Sequence, residues 1–315
     1  MPLPSLGNYK LDNEMISVRQ SVRECSLKDD LTVVTKSGVS LWWLGQAGFL
    51  LSCNGIYIVV DPYLSDSLAL KYKGREFSHR RMIPPPLAPD DVFGVKWVFC
   101  THAHSDHMDP GTLPSLARNN PACRFLVPRA EASTAVARGI PEDRLVLVDG
   151  NETLDLGNGL LVNVLPSAHE ELAQDDQGHF RFLGYCLRMG GITFYHSGDC
   201  IPYAGLDNAL ARLGVDVALL PVNGRDDYRL SRNVPGNFSI TEAIALCQQA
   251  GVPVLLAHHW GMFDFNTVPE DGLKSAAALA GPTVNVIIPD TRVRYEFSLT
   301  SESVAASNCG ESERI

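Results

Sequence analysis

The stretch "VKWVFCTHAHSDHMDP", residues 95–110, decides how the rest of the chain is read. Its first half is a short apolar run rich in Val, Trp and Phe, which favours a buried strand. The run stops at a burst of metal-liking side chains: His102, His104, Asp106, His107 and Asp109. Along a strand end, residues two apart point the same way. His102 and His104 can therefore grip one ion together. Asp106 and His107 follow on the turn, point elsewhere and can hold a second. Imidazoles with a carboxylate, and no thiolate, suit zinc, manganese or iron.

A metal pair needs more ligands than one segment can give. The chain has nine histidines, and the remaining candidates also end apolar runs. "LPSAHE" offers His169, "HSGDC" offers Asp199, and "LLAHHWG" offers His258 or His259. A carboxylate such as Asp199 can bridge two cations, one through each oxygen. Strand ends on one rim of a sheet converge in space, and sites tend to form there. His196, at the end of "FYH", has two readings: a hydrogen-bonding support for a ligand or substrate, or a buried strand-end residue.

Outward from the motif the pattern is that of a sheet-rich domain. "VSLWWLGQAGFLLSCNGIYIVVDPYL" (39–64) predicts strands at 39–44, 47–53 and 56–60, ending at Asp61. Asn54-Gly55 is a two-residue hairpin signal. Residues 65–92 break the pattern with "KYKGREFSHRR" and "PPPLAPDD" and read as a long loop or a small cap. Beyond the motif, strands alternate with helices. A hairpin is expected around Gly190-Gly191. Ser239 and Glu242 form a capping box, and Thr267 with Glu270 is expected to cap the last helix. Residues 1–36 read as an N-terminal arm with a weak helical pattern at 14–27. The main domain spans 37–300, and 301–315 is a polar tail. The expected class is α/β, an αββα four-layer sandwich. A doubly wound sheet fits less well, because no G-x-G-x-x-G follows the first strand and hairpins are frequent.

Composition narrows the partners. Acids outnumber bases 36 to 26, a net charge of -10, which argues against nucleic acid, whose binding rests on clustered Lys and Arg. The eight cysteines include no C-x-x-C, so neither a zinc ribbon nor a redox pair is suggested. Several lie in apolar runs, as small buried hydrophobes of a reducing cytosol would. No run of 18 apolar residues suggests a membrane span, and a cytoplasmic protein is expected.

On these motifs the chain resembles the metallo-β-lactamase superfamily over roughly residues 40–297. The resemblance implies a first site of His102, His104 and His169 and a second of Asp106, His107 and His259, with Asp199 bridging. Asp61, after "IVVD", matches an early aspartate that supports a ligand from behind. His259 is preferred over His258 because Trp-Gly follows it and strand neighbours face opposite sides. "LWWLGQAGF", "FYHSGD" and "HHWGMF" resemble the L-ascorbate-6-phosphate lactonase group, whereas "NGRDDYRLSRNVPGNF" (223–238) has no evident match there.

The resemblance implies two divalent metal ions, Zn or Mn, about 3.5–4 Å apart, lowering the pKa of a water from about 15.7 to roughly 7. Asp106 and Asp199 would be the catalytic carboxylates, Asp106 taking or relaying a proton. The implied activity is hydrolysis of a small carbohydrate-like lactone, with a phosphodiesterase or a non-catalytic binding protein as rivals. An anionic small-molecule substrate could meet Lys71, Lys73, Arg75, Arg80, Arg81 or Arg225, with Asn223 as a polar contact. Trp260, Phe263 and Phe265 could wall the pocket; a solvated loop and core packing are the plain alternatives for these residues. Related proteins assemble, so a homo-oligomer is expected.

Overall fold

The computed structural model of the protein describes residues 14–31 and 38–301. The chain lays down one sheet and then the other. The first holds β1 (Glu14–Val22), β2 (Val39–Gly45), β3 (Gly48–Cys53), β4 (Ile56–Val60), β5 (Val95–Phe99), β6 (Arg124–Pro128) and β7 (Leu145–Val148). The second holds β8 (Thr153–Asp155), β9 (Leu161–Pro166), β10 (Leu183–Met189), β11 (Ile192–His196), β12 (Val217–Pro221), β13 (Val254–His258) and β14 (Asn285–Ile287). Strand β15 (Val293–Ser301) returns to the first sheet, between β1 and β2.

Side-chain alternation makes the layers. Strand β2 is buried throughout because both of its faces are covered. Leu41 and Trp43 enter the core between the sheets, while Trp42 and Leu44 enter a second core outside the first sheet. That is the period of two of a pleated strand. The outer core is closed by Leu113 and Leu116 of helix Leu113–Asn119 and by Ala135 of helix Ala132–Ala137. Helices Leu206–Leu213 and Ile240–Ala250 lay Leu210, Ala243 and Cys247 against the second sheet. The result is helix, sheet, sheet, helix, as the sequence pattern predicts. Between β3 and β4, Asn54 and Gly55 both take positive φ, 50° and 77°, as the predicted hairpin turn demands.

Strand direction positions the site. Strands β4 to β7 run parallel, and so do β11 to β14. Parallel neighbours end on the same edge, so the residues after β4, β5, β11 and β13 gather on one rim. Strand β9 is antiparallel to β10, which is antiparallel to β11. Strand β9 therefore ends on that rim too.

Two expectations are corrected. The segment 14–22, read as an arm with helical character, is an edge strand paired with β15 from Glu14↔Ser301 to Val22↔Val293. Ile16 and Val18 turn inward between more exposed neighbours, a period of two in a window too polar for a clear strand signal. Thr267 does not cap the last helix, Glu270–Leu279, whose N-cap is Pro269; the Thr267 hydroxyl instead accepts from the Gly261 amide at 2.6 Å. Residues 65–92 carry a short helix, Ser67–Lys71, and form one wall of a cavity. The expected tail from 301 lies, apart from Ser301 itself, outside the described residues. Cys53, Cys100, Cys123, Cys186, Cys200 and Cys247 are buried free thiols, and Cys25 is an exposed one. Among the described residues, no helix is long and apolar enough to cross a membrane.

Candidate metal centre

Five strand ends bring the predicted residues together: Asp61 after β4, His102 to His107 after β5, His169 after β9, Asp199 after β11 and His259 after β13. Three overlapping groups have ligand atoms within 4.8 Å of one another: His104, His169 and Asp199; Asp106, His107 and His259; His102, His107 and Asp199. Asp199 is the hinge of the set. Its Oδ1 lies 3.2 Å from His107 Nε2 and 3.1 Å from His259 Nε2, and its Oδ2 lies 3.7 Å from His169 Nε2. Asp106 Oδ2 faces His107 and His259 at 3.8 and 3.6 Å. His102 stands between the two groups, its ring 4.0 Å from that of His107 and 4.6 Å from that of His104.

The donor set fits cations. His102 Nε2, His107 Nε2, His169 Nδ1 and Asp199 Oδ1 are buried and have no hydrogen-bond partner. Buried polar atoms are normally paired, so this concentration of unpartnered nitrogen and oxygen in one place is what a divalent-ion site requires. Opposed charges couple these groups to one another. Burial opposes charge on His107, but Asp199, Asp61 and Asp106 overcome it and raise its pKa well above the usual value. His259 is treated alike, burial being outweighed by Asp199 and Asp106, and its pKa rises to about 9. Against the same penalty of burial, these two rings hold Asp106 and Asp199 well below the carboxylate range. His169 and His102 go the other way. Burial lowers His169 to about 4 and holds His102 well below the usual value, with the positive neighbour His107 second for His102. Both rings are neutral at pH 7, as a metal ligand must be.

The surroundings aim the ligands. Asp61 Oδ2 accepts hydrogen bonds from His107 Nδ1 at 2.6 Å and from the Thr101 hydroxyl at 2.6 Å; Oδ1 accepts from the Thr101 amide at 2.8 Å. With Nδ1 committed, His107 presents Nε2 to the centre, the usual way a carboxylate orients a ligating imidazole. Asp109 anchors the far end of the motif to Ser65, Ser67 and Thr112. Arg138 donates to the Met108 and His104 carbonyls. Two supports were silent in the sequence. The buried Gln46 amide donates to Asp106 Oδ2 at 2.8 Å and lies 3.0 Å from His259 Nε2, although Gln46 sits in a segment already singled out. Arg138 carried no signal at all. Gln46, Asp61 and His259 all hold positive φ, and such left-handed residues cluster at functional sites.

His196 takes the second of its two readings. Its Nε2 donates to the Ala47 carbonyl and its Nδ1 accepts from the Gly198 amide. Both nitrogens are spent, and the ring steadies the turn that carries Asp199. His258, the last residue of β13, faces inward and stacks on His196 at 5.0 Å, while His259 lies beyond the strand and reaches the carboxylates.

A cavity of about 1040 Å³ opens over His104, Asp106, His169, Asp199 and His259. Of the proposed substrate contacts, Lys71, Arg75 and Phe263 line it. Phe265 stacks on the lining ring of Phe77, and the others are placed elsewhere. Arg225 is engaged by Glu242 in a two-pronged ion pair at 2.7 and 2.6 Å. Asn223 is fully buried, bonded to Asn237 and Asn266. Trp260 stacks on Trp43 with centroids 5.5 Å apart and donates to the Ala257 carbonyl. Arg81 is held by the Tyr63, Ser65 and Ile83 carbonyls. The 223–238 loop, unmatched by sequence, contributes Arg232, Asn233, Val234 and Pro235 to the cavity wall.

Known proteins share this architecture. A family model described as "Beta-lactamase superfamily domain" matches residues 57–260. The chain is 30% identical over 186 residues to a UPF0173 metal-dependent hydrolase of Opitutus terrae, covering 58% of this chain and 71% of that one. It is 22% identical over 257 residues to N-acyl-phosphatidylethanolamine-hydrolyzing phospholipase D 1 of Caenorhabditis elegans, covering 76% of this chain and 70% of that one. Among solved structures, an isothiocyanate hydrolase from Delia radicum gut bacteria superposes with a TM-score of 0.65 at 18% identity, over 83% of this chain and 99% of that one. At that identity the likeness speaks for the fold alone.

Proposed function

The chain belongs to the beta-lactamase superfamily, and from that premise we propose that it is a metal-dependent hydrolase of small anionic esters. The observation that carries this reading is the cluster of buried, unpartnered His and Asp atoms beneath the cavity. His102, His104 and His169 would hold one divalent ion and Asp106, His107 and His259 the other, with Asp199 shared. Bound there, Zn or Mn would supply the positive charge that makes hydroxide available near neutral pH. The chain's own groups do the rest. Asp61 holds His107 in register through Nδ1. Gln46 donates to Asp106 Oδ2 and holds that ionised carboxylate toward the centre. Lys71 and Arg75, exposed on the cavity wall, draw in an anionic substrate. The first candidate is a lactone bearing a phosphate or carboxylate, on the strength of the "LWWLGQAGF", "FYHSGD" and "HHWGMF" segments. A phosphodiester is the second, favoured by the similarity to the C. elegans phospholipase D.

The test is metal analysis of the purified protein, followed by assay of anionic lactones and bis-p-nitrophenyl phosphate before and after chelation. Turnover that chelation abolishes and metal restores is the expected result. A protein that takes up about two ions and hydrolyses neither class would overturn the reading.

A further inference from the structure

The wall that the 65–92 segment gives the cavity is built of rings. Tyr72 and His79 stack with centroids 4.2 Å apart, and Phe77 stacks on Phe265 at 4.5 Å. His79 also meets Phe265 edge-on at 4.7 Å, joining the two stacks into one surface. Tyr72, Phe77 and His79 are half-buried and line the cavity. Offset stacks and edge contacts are the favoured arrangements of aromatic rings, so the surface is a packed one. The backbone supports it: His79 takes a φ of 50°, and its Nδ1 lies 2.8 Å from the Phe77 carbonyl. Burial lowers the His79 pKa, which keeps that ring neutral at pH 7. Lys71 and Arg75 stand beside this wall, Lys71 with its ammonium 5.1 Å above the Tyr72 ring. Neither is held in an ion pair among the described residues. Of the two other cations lining the cavity, Arg232 is already matched by Glu76 at 3.4 Å, and Arg138 donates to the His104 and Met108 carbonyls.

The cavity's volume lies at the upper end of small-molecule pockets, about 300–1,000 Å³. It has room for more than a scissile group. A substrate made only of hydroxyls and one anionic group would leave the wall of rings against water, at the usual cost of exposed apolar surface. We propose that the substrate is amphipathic, an anionic ester carrying an apolar group that lies on the Tyr72, Phe77 and His79 rings while Lys71 and Arg75 meet the charge. This rests on the hydrolase reading above and specifies what that hydrolase selects.

The experiment uses unreactive anions, so that binding is read apart from catalysis. Metal-loaded protein is titrated calorimetrically with methylphosphonate and with benzylphosphonate. The benzyl compound should bind at least tenfold more tightly, equivalent to about 1.4 kcal/mol. Phe77→Ala, and the milder Phe77→Leu should the first fold poorly, should shrink that ratio toward one. Equal affinities in the unaltered protein, or no binding of either anion, would overturn the proposal. So would a benzyl preference that survives loss of the Phe77 ring in a folded variant. Hydrolysis of the ester panel is then measured separately. A tenfold benzyl preference with no turnover of any ester would overturn the hydrolase reading and leave the ligand class supported.

Discussion

His258 and His259 are chain neighbours, both buried, with opposite chemistry. His258 packs between His196 and Phe49. The Leu219 backbone lies near its ring, yet neither ring nitrogen is hydrogen-bonded. Burial, with His196 second, drives its pKa well below the usual value. His259 lies one residue further, past the strand end, with Asp199 and Asp106 within 3.6 Å, and its pKa rises to about 9. Depth is the same for both. The neighbouring carboxylates separate the two histidines: beside His259, Asp199 and Asp106 together outweigh the penalty of burial. The His196 and His258 pair is core; the cluster around Asp199 is the candidate metal centre.

That contrast can be broken most severely at its hinge. Asp199→Asn removes the carboxylate shared by both groups. Bound metal should fall below two ions per chain, and kcat/KM should drop by about a thousand-fold, the scale of losing a positioned charge in an enclosed site. Unchanged metal content would refute the assignment. Asp61→Asn is the milder break: it keeps the shape but weakens the grip on His107 Nδ1. Metal affinity should fall by about 10–100-fold, read by competition with a chelator, and an unaltered affinity would show that Asp61 only braces Thr101.

Acidity offers a third test. The folded-state pKa of His259, about 9, lies above its unfolded value of about 6.5. Its contribution to the metal-free fold is therefore complete below pH 6.5 and is lost as pH rises through 9. Metal-free protein should melt at a lower temperature at pH 9.5 than at pH 6. Metal uptake, which must displace that proton, should strengthen over the same range. A melting temperature independent of pH would remove the carboxylates from the argument. The smallest effect belongs to the other side of the comparison. His258→Leu replaces two unpartnered nitrogens with hydrocarbon of similar size, so stability should change by no more than about 1 kcal/mol, with metal content unaltered. Loss of metal in that variant would show that the pair is not merely core.

Much of the centre was legible because its residues announce themselves locally. His102, His104, Asp106 and His107 share a single turn, and His169, Asp199 and His259 each end an apolar run, so a one-dimensional pattern carries them. The substrate contacts were not legible in this way. Arg225 and Asn223 sit on the correct rim, yet Arg225 is claimed by Glu242, a helix N-terminal residue, and Asn223 by an amide network with Asn237 and Asn266. Position along the chain says nothing about which partner wins. Gln46 shows the converse. It lies far from the motif in sequence and touches Asp106 only because β2 and β3 fold back beside β13. The edge strand 14–22 was hidden because it has one lightly covered face and few apolar residues to mark it.

By itself the sequence determined the four-layer architecture, through alternation along strands and turn chemistry at Asn54-Gly55, and it determined the inventory of metal-liking residues. These are properties of short segments, where spacing maps directly onto direction. Only the tertiary structure decided which histidine of each pair meets a carboxylate, which cations stay free at the cavity and that the 65–92 segment closes it with a wall of rings. Those outcomes depend on contacts between segments tens to hundreds of residues apart, and burial and partner charge, the two quantities that set the chemistry, exist only once those segments have met.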